Sequence, residues 1–137
     1  FSPRVFAELL APRLRRISAE CEYHDAFHLF ASDGCLWPVA ESLFAPGVIH
    51  GYYEIDRSAG MDLRRLRGIA PTMALIGNIA SQTLHRGSRA AVVAETLDCL
   101  EAAKERGQII VGVSNYIVPG TPADNVVAMV ETIRTQR

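Results

Sequence analysis

Phe27-His28-Leu29-Phe30-Ala31-Ser32-Asp33-Gly34 is a short apolar run that stops at a small, acidic, glycine-containing turn. Leu36-Trp37-Pro38 then opens a new segment. A run of this length without polar alternation reads as a strand buried on both faces, the pattern of a parallel sheet. The same grammar recurs downstream. Residues 48–54 end at Glu54-Ile55-Asp56, residues 73–76 at Gly77-Asn78, and residues 109–113 at Ser114-Asn115. Each run is followed by a helical pattern. The expectation is therefore an α/β chain of four parallel strand–helix units, half of what a closed barrel of about 250 residues requires. In parallel α/β folds ligands sit at the carboxyl ends of strands, so the four junctions are where function is sought.

Between the strands the helical signals are of unequal strength. Ser2 and Pro3 form a helix start, Ser as the cap and Pro where a missing N–H costs nothing. Phe6, Leu9, Leu10, Leu14 and Ile17 follow at helical spacing, with Arg13, Arg15 and Arg16 on a solvated face and Pro12 expected to kink or split the helix. Residues 35–44 and 61–67 read as helices, and residues 78–87 as a loop. Ser88 caps the clearest helix, which Gly107 stops. Thr121-Pro122 with Asp124 marks the start of the last helix.

Composition narrows the classes of function. The chain has 137 residues, 49% hydrophobic and 21% charged, with net charge -1, which suits a single domain over residues 1–137 with a real core. Such a balance argues against a nucleic-acid surface or a polybasic membrane patch. No apolar run approaches the ~20 residues of a membrane helix, and no signal-peptide pattern precedes the first helix. Cys21, Cys35 and Cys99 are odd in number and lack Cys-x-x-Cys spacing, which points to free thiols in a reducing, cytoplasmic setting. The start without methionine, in mid-stride on a helix, gives the expectation of a partial domain.

Asp33, Glu54, Asp56, Asn78, Ser114 and Asn115 fall at strand ends that share one rim in this geometry. Asp33 and Glu54 are the candidate catalytic pair, one carboxyl giving a proton and the other taking it. Gly34, Asp56, Arg57, Asn78, Ser114, Asn115 and Tyr116 are the candidate substrate-binding residues, although short polar residues also suit strand-to-helix turns for purely structural reasons. Other constellations fail. Gly34, Gly51 and Gly60 make no phosphate loop, no Gly-x-Ser-x-Gly elbow is present, and His24 and His28 straddle a loop–strand boundary instead of forming a helical metal pair.

Ala31-Ser32-Asp33-Gly34-Cys35-Leu36-Trp37-Pro38 resembles the "HSDGNLWP" turn of the uroporphyrinogen decarboxylase superfamily. The order continues with Glu54 before Ala59-Gly60-Met61-Asp62-Leu63, then Leu75-Ile76-Gly77-Asn78-Ile79, and closes with Ser114-Asn115 and Pro119-Gly120-Thr121-Pro122-Ala123-Asp124-Asn125-Val126. The resemblance implies the C-terminal half of a TIM-barrel-like (β/α)8 fold. It also implies a carboxy-lyase that removes carboxylate groups as CO2 from a bulky carboxylate-bearing substrate such as a porphyrinogen. Zinc-dependent, cobalamin-linked methyltransferases of the same superfamily give the alternative. Their His-x-Cys pair and third Cys are replaced here by Ala31, Asp33 and Asn115, so no metal and no other cofactor is expected. A truncated half-barrel that works by oligomerisation is the reading from outside enzymology. In every case the expected partners are a small-molecule substrate and a second copy or complementary half-barrel, since open edges template pairing. Phe30, Ile76 and Val111 are expected to belong to the barrel-filling layer.

Overall fold

The computed structural model describes residues 2–137. Four parallel strands, β1 (Leu29–Ala31), β2 (Gly51–Tyr53), β3 (Ala74–Ile79) and β4 (Ile109–Val113), lie in one sheet in the order β1-β2-β3-β4. The chain returns between them through α3 (Ala40–Leu43), α4 (Leu63–Ile69), and the pair α5 (Ser81–Arg86) and α6 (Arg89–Arg106), and ends in α7 (Ala123–Gln136). Before the sheet, α1 (Pro3–Val5), a π-turn segment (Phe6–Leu10) and α2 (Ala11–Tyr23) run on in one helical arm, irregular ahead of Pro12. Sequential parallel neighbours joined by helices are the repeat of an α/β barrel, here as an open fragment.

The local causes match the chemistry of the caps. Ser2 accepts from the Val5 N–H, Asp62 from Arg65 and Ser88 from Ala91, each satisfying an orphan donor of a first turn. Gly107, at φ +67°, ends α6. Gly51 is set by close approach: a Cβ there would lie 2.5 Å from the Leu29 side chain and 2.9 Å from the Ala74 carbonyl.

Register defines two faces. Phe30, Tyr52, Leu75 and Ile109 are aligned across the sheet and pack with the helices, where Leu43, Val48, Ile55, Leu66, Leu84, Val92 and Cys99 complete the core. Leu29, Ala31, Tyr53, Ile76 and Ile110 alternate onto the opposite face. Leu29 is 48% and Ile110 62% exposed. Two expectations are corrected here. The first strand is not buried on both faces, because it is an edge strand three residues long with its outer face uncovered. Phe30 and Val111 belong to the helix-packed core and not to the barrel-filling layer, in which Ile76 alone of the three falls.

Two helical segments also differ from expectation. Residues 78–87 are not a loop, since α5 occupies Ser81–Arg86. Its one buried apolar residue, Leu84, leaves no periodic stripe to read, and its Ala80 cap offers no side chain. Residues 35–44 give only a 3-10 turn (Trp37–Val39) and the single-turn α3. No helix among the described residues is long and apolar enough to cross a membrane.

Candidate functional site

The carboxyl ends of the strands open onto a pocket of about 230 Å³ lined by Asp33, Glu54, Asp56, Ser114, Asn115 and Tyr116, together with Ser58, Ser81, Gln82 and Val118. Five of the six residues picked out at strand ends, joined by Tyr116, thus meet in one place. The last four were not anticipated. Ser81 and Gln82 lie in the helix that the sequence concealed, while nothing local distinguishes Ser58 or Val118. Larger depressions lie elsewhere, beside Trp37 and Arg65 on the helical layer and beside Phe27 and His50 at the amino ends of the strands. Neither touches the rim.

Each acidic side chain is delivered by a distinct device. Asp33 stands exposed in the turn after β1, whose next residue, Gly34, takes φ +80°. Glu54 ends β2 at φ +65°, a left-handed conformation that costs a non-glycine residue of order 1 kcal/mol or more. Asp56 caps the following 3-10 turn (Arg57–Ala59), its Oδ1 accepting from the Ala59 N–H at 3.2 Å and its Oδ2 from the Gly34 N–H at 3.1 Å. On the other side, the Asn115 carbonyl accepts from the Tyr53 hydroxyl at 2.8 Å and the Tyr116 carbonyl from Ser81 at 3.0 Å. These bonds tie the turn after β4 to β2 and to α5. Ser114 is buried, with its N–H donating to the Ile79 carbonyl.

Beneath the carboxylates, the Tyr52 hydroxyl donates to the Ser32 carbonyl at 2.9 Å. Burial, then the charges of Asp56, Asp33 and Glu54, push its ionisation well above the ordinary tyrosine range. It remains a donor at any working pH.

Of the candidate binding residues, Gly34, Arg57 and Asn78 do not line the pocket. Asn78 is 1% exposed, because β3 continues through it to Ile79 instead of ending before it. Its amide donates to the Met61 carbonyl at 2.8 Å and accepts from Arg57 Nη2 at 3.2 Å. Arg57 also reaches Asp98 at 2.7 Å, the Cys99 sulfur at 3.3 Å and Glu95 at 3.5 Å. That network packs the rim against α6, and none of Glu95, Asp98 or Cys99 was singled out as a site residue. Cys99, buried and with its thiol ionisation pushed up by that burial, is a core residue as its helical position implies.

The residues lining the pocket include no Lys, Arg or His. No group of three His, Cys, Asp or Glu among the described residues is arranged to hold a metal ion. Ala31, Asp33 and Asn115 offer neither thiolate nor imidazole, so a zinc-thiolate centre does not fit this rim. What the rim can do is accept hydrogen bonds and move protons.

A solved structure described as "methyltransferase from Methanosarcina mazei" superposes with TM-score 0.78 at 22% identity, over 96% of this chain and 37% of that one. This likeness establishes the fold, and the chain spans little more than a third of that protein's length. No curated protein matches the sequence. The family profile described as "Uroporphyrinogen decarboxylase (URO-D)" matches residues 1–136. With the four-strand parallel sheet and its rim, that match places the chain: it belongs to the uroporphyrinogen decarboxylase family.

Proposed function

We propose that this chain supplies one part of the substrate rim of a carboxy-lyase acting on a bulky, carboxylate-bearing molecule such as a porphyrinogen. The observation that carries the reading is the convergence of Asp33 and Glu54 on one pocket with Ser114 and Asn115. Decarboxylation breaks a carbon–carbon bond, releases CO2 and leaves an electron pair on carbon that a proton must quench. Asp33 or Glu54, in its acid form, delivers that proton, and the resulting carboxylate is reprotonated from solvent. Ser114, Asn115 and Tyr116 orient the substrate. The concentration of acceptors suits N–H groups such as those of pyrroles. A pocket without cations is the wrong place for substrate carboxylates, which therefore contact residues supplied from outside this chain, by a second copy or a complementary half-barrel.

The test is CO2 release from uroporphyrinogen by the chain, alone and together with a complementary half-barrel. Asp33→Asn and Glu54→Gln are each expected to lower the rate by about 10²–10⁴-fold. Unchanged turnover in both variants would sink the reading.

A second reading is a methyltransferase, which the neighbour's description favours; cobalamin as its methyl carrier is what the family resemblance implies. Transfer of the methyl group of methylcobalamin to an added thiol, leaving cob(I)alamin and followed by absorbance, with no CO2 from uroporphyrinogen, selects it over the first.

A further inference from the structure

Asp33 is gripped through its neighbours on either side. One residue before it, the Ser32 carbonyl accepts from the Tyr52 hydroxyl at 2.9 Å. One residue after it, the Gly34 N–H donates to Asp56 Oδ2 at 3.1 Å. Both gripping groups come from β2 and the turn that follows it, so the turn after β1 is located relative to β2 at two points. A longer backbone bond, Ser32 N–H to the Tyr53 carbonyl at 3.4 Å, ties the entry to the turn ahead of both.

The two grips are themselves anchored. Tyr52 is fully buried, its ring tilted against Phe44 with centroids 5.4 Å apart. Asp56 is fixed by its second oxygen on the Ala59 N–H, and the adjoining Arg57 is tied to Asp98 in α6. A single hydrogen bond would leave the turn free to pivot about it. Two, one on each side of Asp33, remove that freedom, and the one to the Asp56 carboxylate is charge-assisted and hence the stronger kind.

We propose that Tyr52 and Asp56 are positioning residues that clasp the Ser32–Gly34 turn and fix where the Asp33 carboxyl stands over the pocket. Asp56 then acts through Asp33 more than by touching substrate. The proton-donating role of Asp33 rests on the reading proposed above, whereas the clasp does not.

The test uses the whole 137-residue chain, with Tyr52→Phe as first variant and Asp56→Asn as second. Amide exchange at Gly34 and the side-chain carboxyl ¹³C resonance of Asp33 are read against amides of α6 as a control for folding. Loss of one such bond is expected to speed Gly34 exchange roughly 2- to 10-fold, from ~0.5–1.5 kcal/mol per bond at 1.4 kcal/mol per decade. The Asp33 resonance should move while α6 keeps wild-type protection. If Tyr52→Phe unfolds α6, the same two signals in Asp56→Asn decide. Wild-type Gly34 exchange and an unmoved Asp33 resonance in the folded variant overturn the clasp. In the CO2 assay the clasp further requires kcat to fall in Tyr52→Phe with KM held, and a rise in KM alone counts against it. Full turnover in Asp33→Asn refutes the proton-transfer role and leaves the exchange result standing.

Discussion

Arg57 Nη2 lies 2.7 Å from Asp98 Oδ2, on the α6 side of the rim and not in the pocket. The other oxygen of Asp98 takes Arg64 Nη1 at 2.8 Å. One carboxylate therefore joins the turn after β2 and helix α4 to helix α6.

From this follows an acid-stability prediction. Burial opposes the ionisation of Asp98, but the hydrogen bonds from Arg57 and Arg64 outweigh it and hold the carboxyl below its ordinary value of 3.8. A group depressed in the folded state contributes stability that is complete above its unfolded pKa and is lost as pH falls through the folded one. Asp98→Asn should lower stability at neutral pH by about 1 kcal/mol, a partly exposed pair being screened by solvent. It should also flatten the stability curve below pH ~4. Urea midpoints from pH 7 to 2.5 check both.

His28 acts at a higher pH. Burial, then the neighbouring His50, lower its pKa from the ordinary 6.5. Its Nδ1 lies 2.8 Å from the Ser18 hydroxyl, which itself donates to the Val48 carbonyl. The unfolded chain binds the proton more readily than the folded one, so stability is full above pH ~6.5 and declines as pH falls from there toward the folded value. His28→Gln should abolish this step without touching the one due to Asp98. Thermal melts at intervals between pH 7.5 and 5 measure it.

Arg67, 3% exposed, is a buried charge that the sequence did not announce. Its Nη1 donates to the Ala70 carbonyl at 2.9 Å and the Met73 carbonyl at 2.8 Å, and its Nη2 to Gly107 and Gln108 at 3.1 and 3.0 Å. It thereby joins the segment entering β3 to the one entering β4. Arg67→Met strands those carbonyls and should cost roughly 3–5 kcal/mol, lowering Tm by about 10 °C or more. Arg67→Lys should rescue little, because one ammonium cannot reach carbonyls spread along a planar fork. Calorimetry of the two variants gives the answer, and a Lys variant as stable as the wild type would contradict it.

What could be read in advance followed from how locally each feature is encoded. β4 occupies the predicted 109–113, and α6 begins at Ser88 and stops at Gly107, because unbroken apolar residues and caps act within a few positions. The rim was legible after β1, β2 and β4 because each of those strand ends carries its own polar residue. Asn78 was misplaced at that rim because only the neighbouring strand says that β3 runs on to Ile79. Arg57 was read as facing substrate because its partners, Glu95 and Asp98, lie about 40 residues away and carry no mark of that pairing. α5 escaped because a helix of six residues with one buried side chain is held by its tertiary neighbours, not by its own pattern. The clasp on Asp33 is likewise a contact between distant turns.

β1 and β4 each have one strand neighbour, so both present unpaired N–H and C=O groups. The face between them carries Leu29, 48% exposed, and Ile110, 62% exposed, with Ile76 beside them. At ~25 cal/mol per Å², covering several such side chains is worth some kcal/mol, a sizeable share of a domain's net stability. A two-fold axis along the barrel would set β4 of one copy beside β1 of the next, four parallel strands joining four. The same closure gathers Asp33, Glu54 and Asp56 of both copies around one mouth, six carboxylates that repel one another. Salt screens that repulsion, with a Debye length near 8 Å at 0.15 M. We therefore expect a dimer, twice the 15.0 kDa chain, whose fraction rises with ionic strength up to about 0.5 M while apolar burial holds it together. Ile110→Asp should return it to monomer. Light scattering at micromolar concentration decides: a 15.0 kDa species at every salt concentration, with cooperative unfolding, excludes self-pairing and leaves closure to a complementary half.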